Sequence, residues 1–159
     1  MKIILCGYKL IGCEILSLLI KQKHEVYVYT HESPYFIHDL KQLCIKHDIK
    51  FSLQKISVDN VPFKPDLICV AYYNYIIPKD VINFCNKKIF NIHPSLLPKF
   101  RGCSSITWAL INNEKYTGFT YHYIDENIDT GNIIFQKEIK INNYDTGGSL
   151  YMKVMLEAA

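Results

Sequence analysis

Long hydrophobic runs are missing from these 159 residues. The stretch from Leu16 to Ile20 is stopped by Lys21 and Lys23, far short of the roughly 20 apolar residues that span a bilayer. No membrane partner is therefore expected. The opening Met1-Lys2-Ile3-Ile4-Leu5 is a short β-type run, with no longer apolar region and no small-residue cleavage site behind it, so no signal peptide is expected. Arginine is almost absent: Arg101 stands against seventeen lysines. Nucleotide bias in the gene explains this, together with the plentiful isoleucine, asparagine and tyrosine, yet the one retained arginine draws attention to its neighbourhood. Net charge is only +3 and the pI is near 8.4, too mild to imply a nucleic-acid partner. Cys-x-x-Cys spacing is also missing. Cys6, Cys13, Cys44, Cys69, Cys85 and Cys103 have no histidine at zinc-ligand spacing, so no metal is expected. Most sit in apolar runs as small buried hydrophobes, and reduced thiols imply a cytoplasmic location.

What is present suits a folded core. Hydrophobic residues make up 49% and charged residues 21%, and a chain of this size has room for one domain, or two very small ones. Up to about residue 92 the pattern alternates. Lys2–Cys6, Glu25–Thr30, Asp66–Tyr72 and Lys88–Ile92 read as strands, the third apolar enough to be buried on both faces. Leu10–Lys21 has Ile11, Ile15, Leu18 and Leu19 at helical spacing, and Phe36–His47 has Ile37, Leu40, Leu43 and Cys44 on one face. Pro78 opens a short helix. This alternation predicts an α/β fold, Rossmann-like, with a mostly parallel sheet and helices on both faces. The pattern then changes. Pro94–Gly102 is a loop, Ser104–Ile111 a helix, and Tyr116–Ile124 and Asn132–Ile141 an antiparallel strand pair toward the C-terminal end. Between the two strands, Asp125–Gly131 is a polar loop. Thr146–Ala159 starts a helix with no stop signal, so residues 1–159 are expected to be the front part of a longer chain.

Two motifs carry chemistry. Gly7-Tyr8-Lys9-Leu10-Ile11-Gly12 is a βα turn that lacks one glycine of the dinucleotide fingerprint, although Glu32 lies twenty residues beyond Gly12. It reads as a tight structural turn, with a ligand contact as the sharper alternative. The stronger motif is Asn91-Ile92-His93-Pro94-Ser95-Leu96-Leu97-Pro98-Lys99-Phe100-Arg101-Gly102. Asn91 and His93 are two apart at a strand end and share one side, at the end where open α/β sheets place ligands. Histidine titrates near neutrality, and an amide donates to an oxyanion without changing charge. Asp129, just before Thr130-Gly131, is the carboxylate candidate; beside His93 it would raise the histidine's pKa and favour the imidazolium. Asp125 and Glu126 read as a solvated turn.

These residues resemble the folate-dependent formyltransferases: the methionyl-tRNA, glycinamide ribonucleotide and amino-sugar enzymes. The resemblance runs from about Ala71 to Gln136 and is densest at Asn91–Gly102 and Gly118–Ile134. It implies catalytic roles for Asn91, His93 and Asp129. Folate-binding loops would fall at Tyr75-Ile76-Ile77 and Glu126-Asn127-Ile128, largely through backbone groups. Lys99 and Arg101 are the candidates for holding the acceptor, although Arg101 could equally pin its own loop by bonding backbone carbonyls. The donor implied is 10-formyltetrahydrofolate, and the enzyme would be a formyltransferase catalytic domain over residues 1–159. Tyr72–Ile77 and Arg101–Trp108 look most like the amino-sugar enzymes, so the partner implied is a small-molecule amino sugar nucleotide. His31–His38 contains no lysine or arginine, which counts against tRNA. Another acceptor on the same centre (tRNA, a ribonucleotide or water) stays open, as do a non-catalytic nucleotide-binding module and a homo-oligomer.

Overall fold

A computed structural model describes residues 1–33 and 38–159. Seven strands follow the order β3-β2-β1-β4-β5-β6-β7: β1 Lys2–Gly7, β2 Glu25–Tyr29, β3 Phe51–Ser52, β4 Leu67–Ala71, β5 Ile89–His93, β6 Tyr116–Tyr123 and β7 Ile133–Lys140. Two compact units divide the chain, Met1–Phe90 and Asn91–Ala159. None of the helices described is long and apolar enough to cross a membrane.

In the first unit β1 pairs in parallel with β2 and β4, and β2 in parallel with β3. Ile3 to Cys6 and Ile68 to Ala71 are buried, as near-continuous apolar runs require when helices cover both faces. Helix α1, Lys9–Lys21, buries Leu10, Ile11, Ile15, Leu16 and Leu19. Leu18, expected on that stripe, is 39% exposed; the stripe passes through Leu16 instead, two residues away and so on the opposite side of the helix. Helix α2 spans Leu40–Lys46, shorter than the expected Phe36–His47, because the Asp39 carboxylate accepts from Lys41 N–H and Gln42 N–H and fixes the start there. Phe36 and Ile37 lie outside the described residues. Two short elements have no periodic signal in the sequence: β3, and a 3-10 turn at Val58–Asn60 closed by a Ser57–Asn60 capping box. Helix α3, Lys79–Phe84, follows Pro78 as expected.

The second unit contains α4 (Ser105–Ile111), the antiparallel pair β6–β7, and α5 (Gly147–Ala158). Thr146 and Ser149 form a reciprocal capping box that starts α5. That helix buries Leu150, Val154, Met155 and Ala158, and the Tyr121 hydroxyl donates to the Ala158 carbonyl near its end. The rings of Phe119, Tyr121 and Phe135 meet edge-on or tilted. Tyr121 pairs with Phe135 and His122 with Ile133, so β7 carries one extra residue, Ile134. The register shift falls beside His122. Burial departs from strict alternation: Thr117 to Thr120 are all buried.

Gly118 sits where two backbones come together. A Cβ there would lie 2.0 Å from the Lys137 carbonyl oxygen, so the strands must separate to admit it. Gly118→Ala is expected to lower stability by about 1–3 kcal/mol or more. Urea denaturation measures this, and an unchanged midpoint would contradict the packing described.

Candidate active site

The second unit places Asn91, His93 and His122 around the Asp129 carboxylate. Asn91 and His93 close β5, two residues apart. Asp129 comes from the β6–β7 loop and has a positive φ of 51°, a conformation that bulky residues adopt only under constraint. That loop is built by Asp125, whose Oδ1 accepts from Asn127 N–H and the Thr130 hydroxyl. It closes at Gly131, where a Cβ would fall 1.8 Å from the Tyr123 carbonyl oxygen.

Asp129 Oδ2 accepts from Gly102 N–H at 2.8 Å and lies 3.3 Å from His93 Nδ1. Its Oδ1 accepts from the Asn91 amide at 3.4 Å and lies 3.4 Å from His122 Nε2. His93 Nε2 meets the Phe100 carbonyl at 2.8 Å. A carbonyl can only accept, so this nitrogen carries a proton. By the same reasoning His122 carries a proton on Nδ1, which meets the Tyr123 carbonyl at 2.9 Å. Its Nε2 then accepts from the Asn91 amide at 3.2 Å in the neutral ring. The amide thus joins the second histidine to the carboxylate.

The loop from Pro94 to Gly102 is held by buried polar bonds. The Thr120 hydroxyl donates to the Ser95 carbonyl at 2.6 Å and accepts from Leu97 N–H at 3.1 Å. Gln136 Nε2 reaches both Thr120 Oγ1 and the Leu97 carbonyl at 2.8 Å. The Ser95 hydroxyl donates to the Lys99 carbonyl at 2.6 Å. These bonds fix the backbone that presents the Phe100 carbonyl and Gly102 N–H. Sequence reasoning missed His122, Thr120 and Gln136. The available signal was that Thr120 and His122 share one face of β6; the partners they meet, Ser95, Leu97 and Asn91, lie more than twenty residues away.

Burial decides the electrostatics. It pulls the His93 pKa below its ordinary value; Asp129 and the Phe100 carbonyl pull upward and lose, and His122 adds to the lowering. The expectation that Asp129 would raise the histidine is therefore corrected: the carboxylate acts in that direction, but the ring is too deeply desolvated. For Asp129 burial raises the pKa, and His122 and His93 in their protonated forms, with Gly102 N–H, together outweigh it, so the carboxyl is held below the usual range.

The remaining candidates are placed separately. Lys99 pairs with Glu114 at 2.9 Å. Arg101 is exposed and bonds no backbone carbonyl among the described residues, so the loop is pinned by Thr120, Gln136 and Ser95 instead. Glu126, Asn127 and Ile128 are exposed. In the first unit Tyr75 and Ile76 are exposed, whereas Ile77 is 6% exposed and belongs to the core. Ile76 is 73% exposed and Ile128 58% exposed.

The sequence profile described as formyl transferase matches residues 19–158. The chain belongs to the formyl transferase family. It is 40% identical over 167 residues to the bifunctional polymyxin resistance protein ArnA of Wigglesworthia glossinidia brevipalpis, covering 97% of this chain and 25% of that protein. It is 43% identical over 96 residues to the GDP-perosamine N-formyltransferase of Brucella melitensis biotype 1, covering 60% of this chain and 37% of that protein. Among solved structures, the N-formyltransferase of Helicobacter canadensis in complex with folinic acid and dTDP-3-aminofucose matches with a TM-score of 0.86 at 26% identity. That match covers 99% of this chain and 60% of the other. Methionyl-tRNA and phosphoribosylglycinamide formyltransferases are similar as well. The chain spans a quarter to about half the length of the curated relatives it matches. Members of this family are enzymes, and the fold is theirs.

Removing the Asp129 charge takes away the anion that opposes burial. In Asp129→Asn the His93 pKa is expected to fall further, read by NMR titration of the imidazole carbon protons. An upward shift would contradict the assignment of forces. Both groups hold fewer protons folded than unfolded, so stability is present above their unfolded pKa values, near 6.5 for histidine and 3.8 for aspartate. It is lost as pH falls through the lowered folded values.

Proposed function

We propose that the protein transfers a formyl group from 10-formyltetrahydrofolate to the primary amine of a nucleotide-linked amino sugar. The observation that carries this reading is the meeting of Asn91, His93 and Asp129 in a chain of the formyl transferase family. Relatives whose names include GDP-perosamine and dTDP-3-aminofucose support the acceptor class.

The neutral amine attacks the formyl carbon; a C–N bond forms and the carbonyl oxygen becomes an oxyanion. The Asn91 amide and the protonated Nε2 of His93 are the donors for that oxygen, His93 by exchanging its bond to the Phe100 carbonyl. Asp129 orients His93 through Nδ1 and, through water, accepts the proton the amine loses. Collapse of the tetrahedral carbon breaks the bond to the folate nitrogen, which takes a proton in turn. Folate is held through backbone groups near Tyr75–Ile77 and Glu126–Ile128. Burial holds the His93 pKa low, so the doubly protonated imidazolium, which meets Asp129 through Nδ1, persists only to a lower pH than in an ordinary imidazole.

The test is single-turnover formyl transfer with the full-length protein and a panel of amines: nucleotide-linked amino sugars, methionyl-tRNA and glycinamide ribonucleotide, with product read by mass. Asn91→Ala and His93→Ala are each expected to slow turnover by about a hundredfold to a thousandfold while folate affinity changes little. Near-normal turnover in His93→Ala would reject the mechanism. Formylation of tRNA alone, or release of formate without an acceptor, would reject the acceptor class and leave the catalytic centre standing.

A further inference from the structure

In the first unit several rings meet at His31, a residue without a part in the chemistry proposed above. His31 lies just past β2. It stacks on Tyr73 at 4.9 Å and meets the edges of Tyr75 at 4.9 Å and Tyr8 at 5.2 Å. Its Nε2 accepts from Asn74 N–H at 3.1 Å. The segment on the other side of these contacts, Tyr72 to Pro78, joins β4 to α3 and belongs to no helix or strand. At one end the Tyr73 hydroxyl accepts from Ile56 N–H at 3.1 Å, and at the other Ile77 is buried in the core. Between those anchors Tyr75 and Ile76 are exposed. Backbone outside a helix or strand needs side chains or water to satisfy its N–H groups, and His31 supplies that acceptor at the root of the exposed tip.

The bond to Asn74 sets the state of the ring. A backbone N–H can only donate, so His31 Nε2 carries no proton, and the neutral ring keeps its proton on Nδ1. A second proton at Nε2 would point one N–H at another and remove the acceptor. The neighbours do little to stabilise such a cation. Lys9 Nζ lies 5.6 Å from the centre of the Tyr8 ring and 5.2 Å from that of Tyr72, and Lys55 Nζ lies 5.2 Å from that of Tyr75. Two of the three tyrosines that touch His31 thus already carry an ammonium group. Glu32, the next residue, pairs with Lys41 at 2.7 Å. Among the described residues no carboxylate meets His31, Lys9 or Lys55. Burial pushes the Tyr72 and Tyr73 hydroxyls up, so they stay neutral. Tyrosine faces attract a cation, but burial works against it, and the His31 pKa lies below its ordinary value.

We propose that His31 is a positioning residue for the folate loop: neutral, it clamps the Tyr73–Ile77 segment through Asn74 N–H, and protonated, it lets that segment go. The inference rests on the assignment of Tyr75–Ile77 to folate proposed above, and it adds the group that governs whether the segment is in place. As the proton arrives, Asn74 N–H loses its acceptor, and the backbone that carries Tyr75 and Ile76 loses a constraint. A loop that must be ordered at the moment of binding costs affinity, so the donor binds more weakly in acid. The sign is that of a histidine with a lowered pKa. The bond is present above the unfolded value, near 6.5, and is lost as pH falls through the folded one.

The test measures binding of folinic acid to the full-length protein by equilibrium dialysis at pH about 8 and about 5.5, either side of the histidine range. NMR reads the protection of the Asn74 amide from solvent exchange in the same samples, and urea midpoints control for folding. Wild-type affinity is expected to drop by about threefold to tenfold at the lower pH, the size of one lost hydrogen bond, together with the Asn74 protection. His31→Gln keeps an acceptor that cannot be protonated; it should bind as wild type at the higher pH and lose the drop. His31→Leu keeps bulk without an acceptor. It should bind about threefold to tenfold more weakly at the higher pH and show no further drop in acid. A histidine that only fills space would leave the two variants alike. Wild-type pH dependence in folded His31→Gln, or Asn74 protection that ignores pH, would overturn the clamp. The two readings fail separately. Absence of folinic acid binding at either pH rejects the folate reading, while Asn74 protection lost in acid in wild type and kept in His31→Gln still upholds the clamp.

Discussion

One half-buried carboxylate organises the second unit. Asp129 must be anionic where burial disfavours charge, and it remains so because four groups surround it: Gly102 N–H, the Asn91 amide and two imidazoles. Each comes from a different part of the chain, so the end of β5, the Pro94–Gly102 loop, β6 and the β6–β7 loop are all tied to one point. A buried anion with a single partner would be costly, whereas one with several hydrogen-bond donors is stabilised and specific. The left-handed backbone at Asp129 and the tight return at Gly131 both shape the loop that carries the carboxylate to that point.

The two units use polarity differently. Around Asp129 the polar groups are buried and mutually bonded, which suits chemistry that needs fixed donors. In the first unit the rings and lysines stay half-exposed above an apolar sheet, and the two cations have no carboxylate partner among the described residues. A buried network fixes geometry, while an open cluster stays within reach of solvent and its protons.

Most of the framework was legible in the sequence because it depends on periodicity. The apolar runs of β1 and β4 and the spacing of α1 are local patterns, and they appear where they were expected. Asn91, His93 and Asp129 were legible from the strand end and the Asp-Thr-Gly loop. Illegible were features that depend on distant partners. His122 looked like one polar residue on a strand, because Asn91, which meets it, lies 31 residues away in the chain. Leu18 looked apolar and inward, yet the stripe passes through Leu16. The direction of the His93 pKa was misjudged because the neighbouring carboxylate could be read locally, whereas burial by the whole unit could not.

The loop that supports the histidine and the carboxylate does so with backbone. The Phe100 carbonyl and Gly102 N–H make the bonds, while the side chains of Lys99, Arg101 and Cys103 are exposed. Residue identity at these three positions is therefore decoupled from the geometry of the cluster around Asp129. A lineage could exchange all three side chains, altering what the loop meets on its outer side, without disturbing the histidine and carboxylate held by its backbone. Such a division lets the buried arrangement persist while the outer face of the loop diversifies.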